Sequence, residues 1–174
     1  LYASSVGVGG LVKIESVKSP SDNSLKLTLT GSQGNVMKES MEVAKSLAWK
    51  YCIHKETRDF GIHVHCPEGA VPKDGPSAGT AITIAIYSLI NKKKIKNDIA
   101  ITGEINLQGY ITEIGGLELK ILGGIKAGVK TFIFPKTNHK DYIIFLEKYK
   151  DIDLTDIIFK EVRHIKEVFD VVFV

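Results

Sequence analysis

Ser77 stands in the run Lys73-Asp74-Gly75-Pro76-Ser77-Ala78-Gly79, which leads into a long stretch of small and apolar residues. Proline is tolerated in the first turn of a helix, where its missing N–H is no loss, so the spacing predicts Ser77 at a helix start. Unpaired backbone N–H groups and the positive end of the helix dipole then lie close to its hydroxyl. That arrangement suits a nucleophile, because the same N–H groups can hold the oxyanion formed when a carbonyl is attacked. Gly75, Ala78 and Gly79 leave room for a substrate backbone. The plainer reading is that Ser77 merely caps a buried helix, and for an isolated serine after Gly-Pro it is the stronger one.

A nucleophilic serine needs a proton acceptor. Of the five histidines, His63 and His65 share one face of a strand while Cys66 points to the other, so the three do not converge on one metal. No third ligand recurs at zinc-like spacing, and no acidic partner completes a triad. Lys120 is the better candidate. Its neighbours three and four positions away on a helix are Gly116, Leu117, Gly123 and Gly124. Glycine costs a helix roughly 1 kcal/mol relative to alanine, a cost that makes sense if another segment packs closely there and strips water from the ammonium. Neutrality at pH 7 requires a fall from about 10.4 to near 7, worth roughly 4–5 kcal/mol. A surface lysine among coincidental glycines fits the same pattern, and the residues alone leave both readings standing.

Two rival motifs fail on spacing. Gly69 and Gly75 are separated by five residues where a phosphate-binding loop has four, and Pro76 replaces the required lysine. Gly7-Val8-Gly9-Gly10 lacks both the third glycine and the βαβ setting of a dinucleotide fold.

The elements that must position Ser77 and Lys120 can be read from periodicity. Strands are expected at 11–17, at Leu25-Leu27-Leu29, and at Ile62–Cys66. A helix is expected from Val36 to Tyr51, with Met37, Met41, Ala44 and Ala48 on its buried face. After a polar hinge and the loop Pro67–Pro76, residues 77–90 read as a helix apolar all round and therefore buried. Strands follow at 99–102 and 105–114, with a possible turn at Gln108-Gly109. Gly115-Gly116 introduces a helix at 117–127 closed by Gly128. A strand at 129–134, a helix at 139–149, a strand at 157–162 and a helix at 164–170 complete the chain. Strand and helix patterns interleave, which predicts one mixed domain.

The 174 residues, 44% hydrophobic and 25% charged, suit a single globular domain with its own core. A net charge of +3 is too small to imply nucleic acid or an anionic membrane as partner. No apolar run approaches the ~18 residues of a membrane span. Two cysteines, Cys52 and Cys66, argue against a disulfide scaffold and fit a reducing compartment. The chain opens on Leu1 and not Met, so a fragment or processed product is expected.

Pro72-Lys73-Asp74-Gly75-Pro76-Ser77-Ala78-Gly79, Thr102-Gly103-Glu104-Ile105 and Gly115-Gly116-Leu117-x-x-Lys120 together resemble the proteolytic domain of the ATP-dependent Lon protease family, in its A-type subgroup. The likeness runs from about Lys26, through Gly34-x-Val36-Met37-Lys38-Glu39-Ser40, beyond Pro135. The 43-residue step from Ser77 to Lys120 matches the family's dyad. The resemblance implies an α+β fold akin to domain 2 of ribosomal protein S5. It makes Ser77 the nucleophile and Lys120 the general base of a serine endopeptidase. Thr102 would hold the lysine amine, and Asp74, with Gly75, Pro76 and Ala78, would belong to the loop that switches the site between closed and open. His63 and His65 would play a supporting role. No cofactor or metal is implied for this domain. Unfolded, damaged or regulatory proteins would be delivered by an AAA+ module using ATP with Mg, in homohexameric rings, in the cytoplasm or alternatively the mitochondrial matrix. The chain departs from the family in lacking that module, in a first strand that looks cut, and in Glu118-Leu119 where Lys-Glu is frequent. A non-catalytic RNA-binding module of S5-like fold is the rival from another class.

Overall fold

A computed structural model describes residues 1–53, 59–68 and 73–174. The expected polar hinge, and part of the expected loop including Pro72, fall partly outside the described residues.

The strands are β1 (Tyr2–Ala3), β2 (Gly9–Gly10), β3 (Glu15–Ser19), β4 (Leu27–Thr30), β5 (Gly61–His65), β6 (Ile99–Ile101), β7 (Glu104–Ile105), β8 (Ile111–Thr112), β9 (Thr131–Pro135) and β10 (Ile158–Val162). The helices are α1 (Asn35–Lys50), α2 (Gly79–Asn91), α3 (Leu117–Lys126), α4 (His139–Lys148) and α5 (Ile165–Val172). The fold is α+β, as expected.

Two three-stranded sheets carry the architecture. In one, β5 lies between β3, antiparallel to it, and β4, parallel to it. In the other, β9 lies between β6 and β10, all parallel. Buried on both faces, β9 carries an apolar centre, and Phe132, Ile133 and Phe134 are fully buried there. Helix α2 packs against α1 and reaches both β3 and β6. Its residues Ile82, Ile84, Ile86 and Ile90 are buried all round its surface, which is why no polar face interrupts it. Met37, Met41, Ala44, Leu47 and Ala48 form the buried stripe of α1, at the spacing that keeps one face inward.

Three local differences from the periodicity have physical reasons. The expected strand 105–114 is a hairpin, β7 with β8 antiparallel, because Gly109 at φ +89° reverses the chain. The strand expected at 11–17 begins later, at Glu15, and Gly9–Gly10 before it pair with Tyr2–Ala3 as the short hairpin β1–β2. Helix α2 starts at Gly79, so Ser77 lies in the turn just before it and not within the first helical turn.

The β1–β2 hairpin is seated on α3. A Cβ at Gly123 would lie 2.2 Å from the Gly9 carbonyl carbon and 2.3 Å from Gly10 N. A Cβ at Gly9 would lie 1.8 Å from Leu119 O. Backbone touches backbone here, so neither side can yield by turning a rotamer. Gly123→Ala is expected to lower stability by about 1–3 kcal/mol in urea unfolding. Gly115→Ala, where a Cβ meets nothing within 4 Å, should stay within about 0.5 kcal/mol. Equal effects at the two positions would contradict the packing account.

Candidate active site

Lys120 projects from the first half of α3, whose start is set by Gly116 in the left-handed conformation at φ +69°. The residue is 4% exposed. Its amine donates to Thr102 Oγ1 at 3.2 Å, and no carboxylate pairs with it among the described residues. Burial alone pushes its pKa down to about 8. The glycines around it have the purpose the sequence left undecided. Gly123 admits the β2 backbone, and Gly124 admits the Phe132 ring, whose edge a Cβ would meet at 2.4 Å. The helix is covered, and its lysine is dry. The shift stops short of the value near 7 expected above, so the resting amine is still mostly charged at neutral pH.

Thr102 is fully buried just beyond the end of β6, and its N–H donates to Ile133 O at 3.0 Å. The next residue, Gly103, faces the nucleophile loop. Its N–H donates to Ser77 O at 2.8 Å, while its carbonyl accepts from Thr80 N at 3.1 Å and Thr80 Oγ1 at 2.9 Å. A Cβ at Gly103 would fall 2.6 Å from Ile111 and 2.9 Å from Thr80 Oγ1, so the approach needs glycine. Two adjacent residues therefore grip both candidates: Thr102 by the lysine amine, Gly103 by the serine backbone.

Ser77 is half-buried. Among the described residues its hydroxyl has no hydrogen-bond partner, and neither its own N–H nor that of Ala78 is used by another group. These are donors of the kind an oxyanion requires, beside the positive end of α2. Gly75 adopts φ +103° with open space around it, which favours glycine between Asp74 and Pro76. Asp74 is turned toward α1. Its Oδ1 accepts from Met37 N at 2.9 Å and Gly75 N at 2.8 Å, and these bonds hold the carboxyl below its ordinary range.

His63 and His65 lie on β5 in the other sheet, and no hydrogen bond joins them to Ser77 or Lys120. Both contact Thr30 Oγ1 at 2.8 Å, one through Nε2 and the other through Nδ1. A hydroxyl has one proton, so when Thr30 donates to one ring it accepts from the other. Among the described residues no three His, Cys, Asp or Glu side chains could hold a metal ion.

Some supports escaped the sequence reading. Asn138 is buried, accepts from Ile114 N at 3.0 Å and donates to Ile114 O at 2.8 Å, and so fixes the approach to Gly115-Gly116. Glu118 receives Lys148 Nζ at 2.7 Å and Tyr149 OH at 2.6 Å, tying α3 to the end of α4. The charge at 118 is thus paired, with a partner 30 residues away that no local pattern marks.

A family model described as the Lon protease (S16) C-terminal proteolytic domain matches residues 1–174. The chain belongs to the Lon protease family. It is 42% identical over 166 residues to the Lon protease of Fervidobacterium nodosum, covering 94% of this chain and 20% of that protein. It is 48% identical over 138 residues to the Lon protease of Clostridium acetobutylicum, covering 76% and 18%. A Lon protease homolog of Acanthamoeba polyphaga mimivirus is 43% identical over 179 residues, covering 97% and 17%. The chain spans about a fifth of the length of these relatives. The match to the proteolytic domain of this family runs the whole length of the chain.

The dry lysine of this Lon domain carries a stability cost. Its folded pKa of about 8 lies below the ordinary 10.5, so the cost develops as pH falls between those values and is constant below them, at roughly 3 kcal/mol. Replacing both partners, Lys120→Met with Thr102→Val, removes the charge without orphaning the hydroxyl. The double variant is expected to raise Tm by several degrees at pH 7 and by less at pH 9.5, measured by circular dichroism. A lower Tm at pH 7 would mean that the amine is better solvated than its burial implies.

Proposed function

We propose that this Lon domain cleaves peptide bonds with a Ser77–Lys120 dyad. Neutral Lys120 takes the Ser77 hydroxyl proton as Oγ attacks the scissile carbonyl carbon. N–H groups at the turn before α2, those of Ser77 and Ala78, receive the oxyanion. The C–N bond then breaks, and the lysine ammonium gives its proton to the departing amine. Water attacks the resulting ester with Lys120 again as base, releasing the acid and restoring the serine. Thr102 keeps the amine aimed, accepting a bond from it whether it is charged or neutral.

The observation that carries this reading is the shared anchorage on Thr102-Gly103, together with a buried amine and free N–H groups beside Ser77. A bound substrate would expel further water and lower the lysine pKa beyond its resting value. On the same reading, unfolded, damaged or regulatory proteins reach the site through an AAA+ module on a longer polypeptide, in homohexameric rings in the cytoplasm. That module consumes ATP with Mg.

Ser77→Ala is expected to lower peptide turnover at least a hundredfold with the fold unchanged. Lys120→Arg should do the same, because a guanidinium does not give up its proton in a protein. Near-wild-type turnover by either would exclude the dyad. In the parent enzyme the base acts deprotonated, so kcat/KM should rise about tenfold per pH unit below the lysine pKa and level above about 8. A flat profile between pH 6 and 8.5 would assign the base to another group.

A further inference from the structure

The nucleophile loop is fastened upstream to the start of α1. Gly34 is the N-cap of α1 and has no side chain to offer the unpaired N–H groups of the first turn. The acceptor comes instead from Asp74, through its bonds to Met37 N and Gly75 N. Main-chain contacts follow the same path. Gly34 N donates to Lys73 O at 2.7 Å, Lys73 N donates to Ser32 O at 2.9 Å, and Gln33 and Lys73 form a parallel bridge.

A side chain at position 34 would have no room. Its Cβ would fall 2.2 Å from Asp74 Cγ and 2.3 Å from Oδ2. Gly34 itself has φ −76°, open to any residue, so the glycine is required for space and not for conformation. The simplest way to cap α1 is a serine, asparagine or aspartate at position 34. A cap borrowed from 40 positions away is chemically equivalent for the helix and differs only in what it does to the loop. Asp74 is exposed, so burial does not place it there. Three residues further on, Ser77 is held by Gly103. The turn carrying the hydroxyl is thus pinned at both ends, with Gly75 as the pivot.

We infer that Gly34 is a positioning residue for the nucleophile: by leaving the start of α1 open it lets Asp74 clamp the loop there, and the clamp sets the turn that presents Ser77. The inference rests on the dyad reading and deepens it.

Peptide turnover and Tm, measured together on the polypeptide carrying this chain, test it. Gly34→Ala is expected to lower kcat ten- to a hundredfold with KM within threefold. In an Asp74→Gly background the same change should have no further effect, because the carboxylate and the Cβ it displaces, the latter 2.7 Å away, are both gone. Gly34→Ser in that background gives α1 a cap of its own. Tm should recover while kcat stays as low as in Asp74→Gly alone. Recovery of kcat together with Tm would reduce Asp74 to a helix cap and overturn the inference. Additive losses for Gly34→Ala and Asp74→Gly would overturn it as well. Should Gly34→Ala not fold, the Asp74→Gly and Gly34→Ser pair decides alone. Ser77→Ala distinguishes the two levels. If it retains turnover, the dyad reading fails. If it is inert while Gly34→Ala keeps full kcat, only the clamp is rejected.

Discussion

A primary amine with one neutral partner and almost no water is the constraint on which the rest of this domain depends. An ammonium in that position is unfavourable, and among the described residues no carboxylate offsets it: Thr102 Oγ1 is its hydrogen-bond partner, and burial depresses its pKa. Ordinary packing would avoid such a residue or give it a carboxylate. Here the surroundings are built to keep it dry. The β1–β2 hairpin lies backbone to backbone on α3, and Phe132 fills the space beside Gly124. Each contact requires a glycine, and each glycine weakens the helix that carries the lysine. The site is maintained by tertiary packing against the local preference of its own segment.

The second half of the arrangement follows from where β6 ends. Parallel strands bring the C-terminal end of β6 beside the start of α2, and the chain leaves the sheet at Thr102-Gly103. Gly103, lacking a side chain, comes close enough to exchange hydrogen bonds with Ser77 and Thr80. Its predecessor points a hydroxyl at α3. Three segments distant in sequence, around 77, 102 and 120, become neighbours through one dipeptide. The nucleophile loop is also tied to the other sheet through the connection after β4, so the site spans both halves of the fold. The histidines on β5 belong to that other half, and their hydrogen bonds close on Thr30.

Much of the scaffold was legible from periodicity. The buried stripe of α1, the apolar circumference of α2 and the buried run of β9 all follow from which positions alternate, since faces are a local property of a chain with fixed geometry. Errors arose where a glycine changed direction. Gly109 folded an apparent strand into the β7–β8 hairpin, and the glycines of β2, which matched no binding motif, are a packing surface whose role no local pattern marks.

The candidate site divides along the same line. By itself the sequence determined the residue types, the Gly-Pro-Ser approach to a buried helix, and the cluster of glycines around Lys120. It left that cluster with two meanings, because side-chain spacing encodes which face a residue occupies and not what covers the face. Tertiary structure alone decided that β2 covers α3, that Gly103 holds Ser77, and that Asp74 caps α1 from another segment, and it joined Thr102 to Lys120 as the family resemblance implied. Those contacts join positions 18 to more than 100 residues apart. They arise only when the separately folded faces are brought together in one packed interior.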